Sequence, residues 1–362
     1  MLIGQLHYET TSKYNFPQLL KEAEFPKKIV ELSLRSMHTV KGKIFQPDTA
    51  ASPEILIETT QNENPMFIRG GAISTLLTSL RPIRDGTPII GIDVSSIKIG
   101  ITDVGALYAV RGAVVIGVNN RYRYLRFGPL PFHLTRGTTR EMLKSLSREF
   151  PLNFSFPSQI DPQNQVCSLI ERWLQAYVSH LARESIILWD GSLTTRVPGS
   201  SAAEISKILK AARENSNIVM AFSKDTTLKL MNWRITDVVA GCRPPCLFEI
   251  DALPLSSPSF MRILGRLYVA KLARGGCAFR LDIDRAISRK ESITAVERLL
   301  GNDLVYQGYP ETLRLAHIYS AFTASDVIGV QRFLVRKYGL KLIEQPNMHR
   351  TLFGPYGTRL GD

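Results

Sequence analysis

Two aspartates in this sequence each come directly after four apolar residues. Asp93 follows Ile-Ile-Gly-Ile, and Asp190 follows Ile-Ile-Leu-Trp. A carboxylate is costly to bury unless it is paired or coordinated, but at the end of a strand it can open to water. Carboxylate oxygens are the ligands that Mg²⁺ and Mn²⁺ prefer. The pattern predicts a metal site at the ends of two strands, although Asp190-Gly191 taken alone is equally typical of a turn.

A third carboxylate is expected from the helix between these two strands. Eight apolar residues recur there at helical spacing: Val166, Leu169, Ile170, Trp173, Leu174, Tyr177, Val178 and Leu181. Advancing about 100 degrees per residue places Glu171 at the edge of this stripe. We interpret Glu171 as a metal ligand, and a surface glutamate is the alternative. Two ions held in this way would activate water and stabilise the leaving 3′ oxygen of a phosphodiester.

Two basic side chains are further candidates for this chemistry. Lys224 follows the strand-like run NIVMAF, and a short helix is predicted from Asp225. A lysine there could reach a phosphate as a point charge beside a helix N-terminus, and a solvated loop lysine is the alternative. His317 lies on the predicted helix ETLRLAHIYSAF. A lone histidine on an apolar helix is more often a core residue than a functional one.

Arginines alternate with rings in the segment RYRYLRF, which begins at residue 121. In a strand, this alternation puts Arg121 and Arg123 on one face of the sheet. It puts Tyr122, Tyr124 and Arg126 on the other face. Phosphate contacts and base stacking on a single strand are one use of such a segment, and an exposed sheet rim is another. We favour nucleic acid, and the formal charge of +13 also favours a polyanionic partner.

The elements that must position these residues begin near Thr87. The runs PIIGIDVS, IKIGITD and ALYAVRGAVVIGV are separated by short polar connections and predict an antiparallel meander. Asp161-Pro162 predicts the start of a helix that continues to about Arg183. A strand, a helix, a second strand and a short helix follow. This order is typical of an α/β fold, an RNase H-like mixed sheet flanked by helices.

The rest of the chain is organised around that core. Residues 1–85 are predicted to form an N-terminal helical extension whose apolar residues need a partner surface, for dimerisation or for docking a partner. Residues 86–340 are predicted to form the RNase H-like domain, including a C-terminal α+β elaboration. Residues 341–362 are predicted to form a tail.

Composition and motifs exclude several classes of protein. At 362 residues and 44% hydrophobic, the chain can bury a large core. Its N-terminus does not resemble a secretory signal, and no apolar run is long enough to span a membrane, so we expect a cytoplasmic protein. Walker and GxGxxG motifs are absent, which argues against a nucleotide-driven motor or a dinucleotide enzyme. Cys242 and Cys246 lack a second ligand pair, so incidental cysteines are favoured over a zinc site.

These residues together resemble the archaeal NurA nuclease family. The resemblance is carried by ordered short segments over roughly residues 89–326: GIDVS, LYAVR, WDGSL, FSKD and a late-helix Ala-His. It implies an RNase H-like fold and a deoxyribonuclease that uses two Mn²⁺ or Mg²⁺ ions. Such an enzyme would cut single strands and degrade duplex ends 5′ to 3′ in the end resection of double-strand breaks. The resemblance further implies a homodimer docked on a hexameric HerA-type translocase.

The resemblance also implies roles for individual residues. Asp93 and Asp190 match the metal carboxylates, and Glu171 matches the helix glutamate. Lys224 and His317 match the family's Ser-Lys and late-helix histidine. We assign Arg111, in the segment LYAVR, to nucleic-acid binding together with the arginines and Tyr124 of the RYRYLRF segment.

One residue departs from the family pattern. The first motif usually reads Asp-Gly-Ser, and Val94 stands here in place of the glycine. A β-branched residue favours continued strand geometry over a tight turn, so we expect the Asp93 carboxylate to sit differently. Weaker activity would follow, and the alternative function is a non-catalytic RNase H-like DNA-binding adaptor in a translocase complex. A PIWI-like or transposase-type nuclease is a third interpretation.

Overall fold

The computed structural model describes residues 9–10, 24–48, 67–68, 76–135, 162–195, 200–226, 229–230, 233–250, 255–256 and 262–343. Most of the predicted N-terminal extension lies outside these residues. The predicted tail lies outside them from residue 344 onward, and so does Asp161, the predicted helix cap.

One large mixed sheet organises the described part of the chain. Its strands are β1 (Glu9–Thr10), β2 (Ile44–Pro47), β3 (Leu77–Ser79), β4 (Ile89–Thr102), β5 (Ala106–Val118), β6 (Arg121–Leu134), β7 (Ile186–Asp190), β8 (Ile218–Ser223), β9 (Cys246–Glu249), β10 (Gly265–Lys271), β11 (Phe279–Asp284) and β12 (Lys341–Leu342). Smaller pairings involve Phe67–Ile68, Thr194–Thr195, Lys229–Leu230, Trp233–Arg234, Leu255–Ser256, Arg262–Ile263, Val305–Tyr306 and Tyr309–Pro310.

The strands of the large sheet run in the order β1-β6-β5-β4-β7-β8-β11-β10-β9-β3, while β2 pairs with β4 and β12. β4, β5 and β6 form an antiparallel meander. β7 pairs parallel with β4, and β8 pairs parallel with β7. β11 extends the sheet antiparallel to β8. This arrangement confirms the predicted RNase H-like mixed sheet with its α+β elaboration.

Helices cover both faces of this sheet. They are α1 (Glu24–Met37), α2 (Pro162–Leu181), α3 (Ser200–Glu214), α4 (Ile235–Ala240), α5 (Arg289–Asn302), α6 (Glu311–Ser320) and α7 (Ala324–Tyr338), with a 3₁₀ turn at His38–Val40. Trp189 and Ile92 point into the apolar cluster formed with α1, α2 and α3. Leu188 and Ile89 point into the cluster formed with α5 and α6. Neighbouring residues face opposite ways because strand side chains alternate.

The helices around α6 have well-defined ends. α5 and α7 each begin with a capping box, formed by Ser288 and Glu291 in the former and by Thr323 and Asp326 in the latter. α6 has no side-chain cap at its own N-cap residue. Instead, the buried Asp303 carboxylate accepts a hydrogen bond from the Thr312 amide in the first turn, at 3.0 Å.

Two predictions from the sequence are wrong, one about a strand break and one about a helix start. Ser95 and Ser96 do not separate two strands, because β4 continues through both residues to Thr102. Their hydroxyls find side-chain partners, so the strand does not have to end there. No helix begins at Asp225: the chain leaves β8 as a bend, and Lys229–Leu230 forms a short strand.

The described part of the N-terminal extension packs on this chain's own sheet. Ile29 and Leu32 of α1 are buried in the main core, and the Ser33 hydroxyl donates to the Pro131 carbonyl of β6 at 2.6 Å. β2 and β3 add strands that the sequence did not predict. Among the described helices, none combines the length and apolarity needed to cross a bilayer. Cys242 and Cys246 are free thiols.

Candidate metal centre

Asp93 and Asp190 lie side by side where two parallel strands separate. The pairing of β4 with β7 runs from Ile89 opposite Ile186 to Ile92 opposite Trp189. The next residue on each strand is an aspartate. Asp190 ends β7 as predicted, but Asp93 lies within β4, since the strand continues through Val94 as its β-branched side chain favours. Asp93 is buried at 7% exposure, and Asp190 is partly buried.

His317 of α6 completes a group of three possible metal ligands. One ligand atom from each of Asp93, Asp190 and His317 lies within 4.8 Å of the others. The His317 Nδ1 atom is 3.3 Å from Asp93 Oδ2 and 4.0 Å from Asp190 Oδ2. Contact with the Asp93 carboxylate raises the pKa of His317, whereas burial acts to lower it. No physical signal in the sequence placed this histidine beside the aspartates.

α6 approaches β4 closely because a glycine lies beneath it. A β-carbon added to Gly91 would lie 2.7 Å from the Thr312 carbonyl oxygen and 3.0 Å from the Leu313 α-carbon. Gly91 is two residues before Asp93, so both residues point to the same face of the sheet. Gly91 therefore lets the helix backbone settle where its second turn carries His317 over the aspartates.

A pair of serines orients Asp93, and sequence analysis missed their role. The Ser320 hydroxyl, one helical turn after His317, donates to Asp93 Oδ2. Ser95 lies 3.5 Å from the same oxygen and 2.9 Å from the Ser320 hydroxyl. Ser320 is fully buried. The helical spacing of His317 and Ser320 was the only sequence signal that could have linked them.

The loop after Asp190 is anchored on both sides. The Ser223 hydroxyl donates to the Gly191 carbonyl at 2.7 Å, and the Gly191 amide donates to the Phe222 carbonyl at 2.8 Å. Gly191 has a φ of 104°, a conformation that favours glycine and suits the predicted turn. The Leu193 amide donates to Asp282 Oδ2 at 2.9 Å. These bonds fix the backbone that carries the Asp190 carboxylate.

Asp282 is itself held by a buried arginine. Arg280 Nε donates to Asp282 Oδ1 at 2.8 Å, and a second guanidinium nitrogen donates to Oδ2 at 2.8 Å. Their side chains are 1% and 0% exposed. Gly265 leaves room for this packing, because an added β-carbon would lie 2.8 Å from the Asp282 β-carbon. The alternating pattern of FRLDID predicts strand β11. Nothing further in the sequence indicates that Arg280 and Asp282 form a buried ion pair within this strand.

Lys224 contacts the centre directly. Its Nζ atom donates to Asp190 Oδ2 at 2.6 Å. The same atom lies 6.0 Å from the centre of the Tyr309 ring. The lysine thus reaches the site from the end of β8, and not from beside the helix that was predicted to begin at Asp225.

Glu171 lies apart from this group. It is on α2, which packs through Leu169, Ile170 and Trp173 against the opposite face of the sheet. Its Oε1 atom accepts a hydrogen bond from Gln175 at 2.9 Å. The structure brings together four of the five predicted catalytic residues and leaves Glu171 outside the group.

Arg111 is a structural residue in this fold, which corrects its assignment to nucleic-acid binding. Its side chain is 4% exposed, and its two terminal nitrogens bond the Asp326 carboxylate at 3.1 and 2.9 Å. It also donates to the Ala321 carbonyl at 2.8 Å and lies 4.6 Å from the centre of the Phe322 ring. This leaves no exposed guanidinium for a phosphate. Arg111 instead ties β5 to the connection between α6 and α7.

The RYRYLRF segment forms the start of β6 and alternates as predicted. Arg121 and Arg123 line an open groove of about 510 Å³ with Ile116, Val118 and Asn119. Tyr124 faces α6 instead, and its ring stacks on Tyr319 with centres 4.3 Å apart. Tyr122 also faces this side and donates to Asp303 at 2.8 Å. The tyrosines therefore lie on the face of the metal centre, and the two arginines lie on the opposite face.

The donor set fits a divalent ion. Two carboxylates and an imidazole are ligands that Mn²⁺ accepts, and carboxylates also suit Mg²⁺. The His317 Nδ1 atom is buried, and it has no aligned hydrogen-bond partner among the described residues although Asp93 is close. An ion would satisfy this nitrogen and could also bind carboxylate oxygens of both aspartates.

Several known proteins are similar to this chain. Among solved structures, the NurA nuclease from Sulfolobus solfataricus is 17% identical with a TM-score of 0.49, over 73% of this chain and 89% of that one. Another NurA structure is 10% identical with a TM-score of 0.39, over 74% and 93%. An endonuclease V from Bacillus subtilis is 11% identical with a TM-score of 0.34, over 91% and 99%. No curated protein matches the sequence significantly.

A family model gives the decisive match. The model described as the NurA domain matches residues 87–322, well over half of the chain. This segment runs from the start of β4 to just beyond α6 and includes Asp93, Asp190, Lys224 and His317. The chain belongs to the NurA domain family.

Proposed function

We propose that this protein is a metal-dependent deoxyribonuclease that hydrolyses phosphodiester bonds at the Asp93, Asp190 and His317 centre. The observation that carries the proposal is the convergence of these three side chains within 4.8 Å, at the edge where β4 and β7 separate. Family membership and the name of the Sulfolobus NurA nuclease support the same activity.

The residues of the centre have two different roles, metal binding and orientation of a metal ligand. Asp93, Asp190 and His317 would hold Mn²⁺ or Mg²⁺, which supplies an activated water and Lewis-acid stabilisation of the phosphate. Ser95 and Ser320 keep the Asp93 carboxylate in place, since they contact the oxygen that also faces His317. Outer contacts of this kind commonly fix the orientation of a metal ligand.

DNA would reach the centre across the face that carries α6. The stacked rings of Tyr124 and Tyr319 lie on this face and can support a base of a single strand. Arg126 belongs to the same strand face by alternation. Arg121 and Arg123 lie on the opposite face, so their proposed phosphate contacts would involve a different stretch of nucleic acid.

We further infer the biological setting from the family resemblance. It supports action on single strands and on 5′ ends of duplexes, in end resection with a HerA-type hexameric translocase. It also supports a homodimer that works in the cytoplasm. The predicted N-terminal extension, residues 1–85, would contribute to dimerisation or docking beyond the α1 contacts within the chain.

A cleavage assay tests the activity. Labelled single- and double-stranded DNA is incubated with Mn²⁺, Mg²⁺ or EDTA, using wild type, Asp93→Ala and Asp190→Ala. The matched control is Asp103→Asn, because Asp103 pairs with the exposed Lys43 far from the centre in the fold. We expect cleavage by wild type and the control only, and only with metal. Cleavage that survives both alanine substitutions would refute the proposal, and salt-dependent binding without cleavage would favour the adaptor.

A further inference from the structure

A short hairpin between α5 and α6 carries an exposed tyrosine. It consists of the paired segments Val305–Tyr306 and Tyr309–Pro310. The two tyrosines lie opposite each other in this pairing, but Tyr309 is 7% exposed and Tyr306 is 56% exposed. Packing in the core therefore accounts for Tyr309 and leaves the ring of Tyr306 in solvent.

The hairpin is anchored at both ends. Its loop residues 307–308 have φ values of 53° and 89°, as in tight two-residue hairpin loops. At this tip, the Cys277 amide donates to the Gln307 carbonyl at 2.8 Å. At the base, the Glu311 amide donates to the Leu304 carbonyl at 2.8 Å. The outward side of the hairpin is thus presented from a fixed backbone.

Arg314 of α6 packs against the exposed ring. Its guanidinium carbon lies 4.8 Å from the centre of the Tyr306 ring. Two guanidinium nitrogens also donate to the two carboxylate oxygens of Glu311, at 2.7 Å each. Such a bidentate pair fixes the plane of a guanidinium group. The guanidinium then supports one side of the ring, while the ring stays largely open to solvent.

This stack lies beside the metal centre. Arg314 precedes His317 by three residues, which is about 4.5 Å along the axis of α6. Residues at this spacing lie on the same side of a helix. The ring centre of Tyr309, in the other strand of the hairpin, is 6.0 Å from the Nζ atom of Lys224, which contacts the centre. A nucleotide next to one bound at the centre would therefore pass close to the stack.

The contacts of the stack favour a nucleobase over a phosphate as its ligand. The charge of Arg314 is already balanced by Glu311, so the pair adds little net charge to attract a phosphate. The ring itself offers an apolar surface, and aromatic rings of this kind stack on the bases of single strands. A purely structural role is the alternative. However, the hairpin is already held by backbone hydrogen bonds and by the packing of Tyr309.

We propose that Tyr306, supported by Arg314, is a stacking platform for one unpaired nucleobase beside the scissile phosphate. This rests on the nuclease function proposed above and assigns a determinant of its substrate choice. A base within a duplex is paired and stacked on its neighbours, so it must leave the duplex before it can lie on the ring. The platform favours single strands over duplex, with little preference for sequence, because every base has a face that can stack.

Fluorescence anisotropy in EDTA tests the platform without cleavage. The labelled probes are an oligodeoxythymidylate, an abasic strand of the same length and a blunt duplex. The proteins are wild type, Tyr306→Ala, Tyr306→Leu, Tyr306→Phe and the control Val104→Ala, which changes an exposed apolar residue just after the far end of β4. Urea denaturation of each variant verifies that the fold is intact.

The loss of affinity should depend on the bases of the probe. Tyr306→Ala and Tyr306→Leu should weaken binding of oligodeoxythymidylate by about 10- to 100-fold, because one stacked base is lost. Binding of the abasic strand and of the duplex should change much less. Tyr306→Phe keeps the ring and should bind like wild type, as should the control Val104→Ala.

A cleavage map gives a second measurement. An oligodeoxythymidylate with one abasic site is cut in the presence of Mn²⁺, and the products are separated by length. Wild type should cut poorly at one fixed distance from the abasic site, where the missing base would have occupied the platform. Tyr306→Ala should cut evenly around it, since no position then depends on stacking.

Failure of the platform and failure of the nuclease proposal are distinguishable. Unchanged binding of oligodeoxythymidylate by Tyr306→Ala, or an equal loss for all three probes, would overturn the platform. So would a loss in Tyr306→Phe equal to that in Tyr306→Ala, because the ring is kept. Metal-dependent cleavage that Asp93→Ala abolishes would leave the nuclease intact in each case. Absence of cleavage by wild type would refute the nuclease, and the role beside a scissile phosphate with it.

Discussion

Buried carboxylates on the two sides of the central sheet differ in their polar contacts. On the face covered by α6, Asp93 is met by Ser95, Ser320 and His317. On the face covered by α2 and α3, Glu204 is 5% exposed, and its Oε1 atom has no hydrogen-bond partner among the described residues. Burial raises the pKa of Glu204 to about 7. Burial raises the pKa of a carboxyl group where few donors surround it, as at Glu204.

The largest difference in cleavage activity should appear when one carboxylate on each side of the sheet is replaced, Asp190 on the α6 side and Glu171 on the α2 side. Asp190→Asn should reduce cleavage by at least about 1,000-fold, because a ligand and the partner of Lys224 are both changed. Glu171→Gln should reduce it by less than about tenfold, because its carboxylate accepts a hydrogen bond from Gln175 on the same helix and lies outside the group of metal ligands. Single-turnover cleavage of labelled DNA measures both. A 1,000-fold loss in Glu171→Gln would restore this glutamate as a ligand.

The buried pair of Arg280 and Asp282 should dominate the stability of the site. Asp282→Ala should lower the free energy of unfolding by about 3–5 kcal/mol, because it removes the carboxylate of a buried ion pair with Arg280 and the acceptor of the Leu193 amide. Urea denaturation measures this change. The exposed pair Lys210 and Glu214 is the control, and Glu214→Ala should change stability by less than about 1 kcal/mol. Equal effects at the two sites would contradict the proposed anchoring.

The serine contacts should tune metal affinity without abolishing the chemistry. Ser320→Ala should weaken Mn²⁺ binding by about 10- to 100-fold, as is usual when a group that orients a metal ligand is removed. The value of kcat at saturating Mn²⁺ should change much less, and Ser320→Thr should restore part of the affinity. Calorimetry measures the affinity and cleavage rates measure kcat. Unchanged affinity in Ser320→Ala would show that Asp93 is oriented without it.

The smallest effect concerns Glu204. Its pKa is about 7 in the folded protein and near its ordinary value of 4.5 when unfolded, so the folded state binds the proton more tightly. Stability should therefore fall as pH rises from about 4.5 to 7 and then level off. Glu204→Gln should raise the free energy of unfolding by about 1–2 kcal/mol at pH 8 and change it little at pH 4.5. A gain that is equal at both pH values would contradict this origin.

The sequence predicted the positions of the strands better than it predicted which face of the sheet each side chain would occupy. Apolar runs and polar connections locate β5, β7 and β8, because burial on both faces demands continuous apolar residues. Ser95 and Ser96 misled the prediction, since serine is common in turns but is tolerated in a strand when its hydroxyl is bonded.

The candidate site was predictable only in part. The sequence indicates Asp190 as a site residue because it follows an apolar strand and precedes Gly191. Glu171 was placed correctly at the edge of an apolar stripe, but a stripe does not say which face of the sheet its helix covers. His317 reaches the centre through the packing of α6 on Gly91, a contact between residues far apart in sequence. Only the family resemblance connected His317 with the aspartates.

The contact between Ser320 and Asp93 spans 227 positions of the chain. During synthesis, both aspartates leave the ribosome long before α6 does, so a partly made chain can carry the carboxylates without their histidine. Closing so long a loop is slow compared with forming local structure. Assembly of the metal centre should therefore be among the late steps of folding, and the ability to cut DNA should arise only when nearly the whole domain is in place.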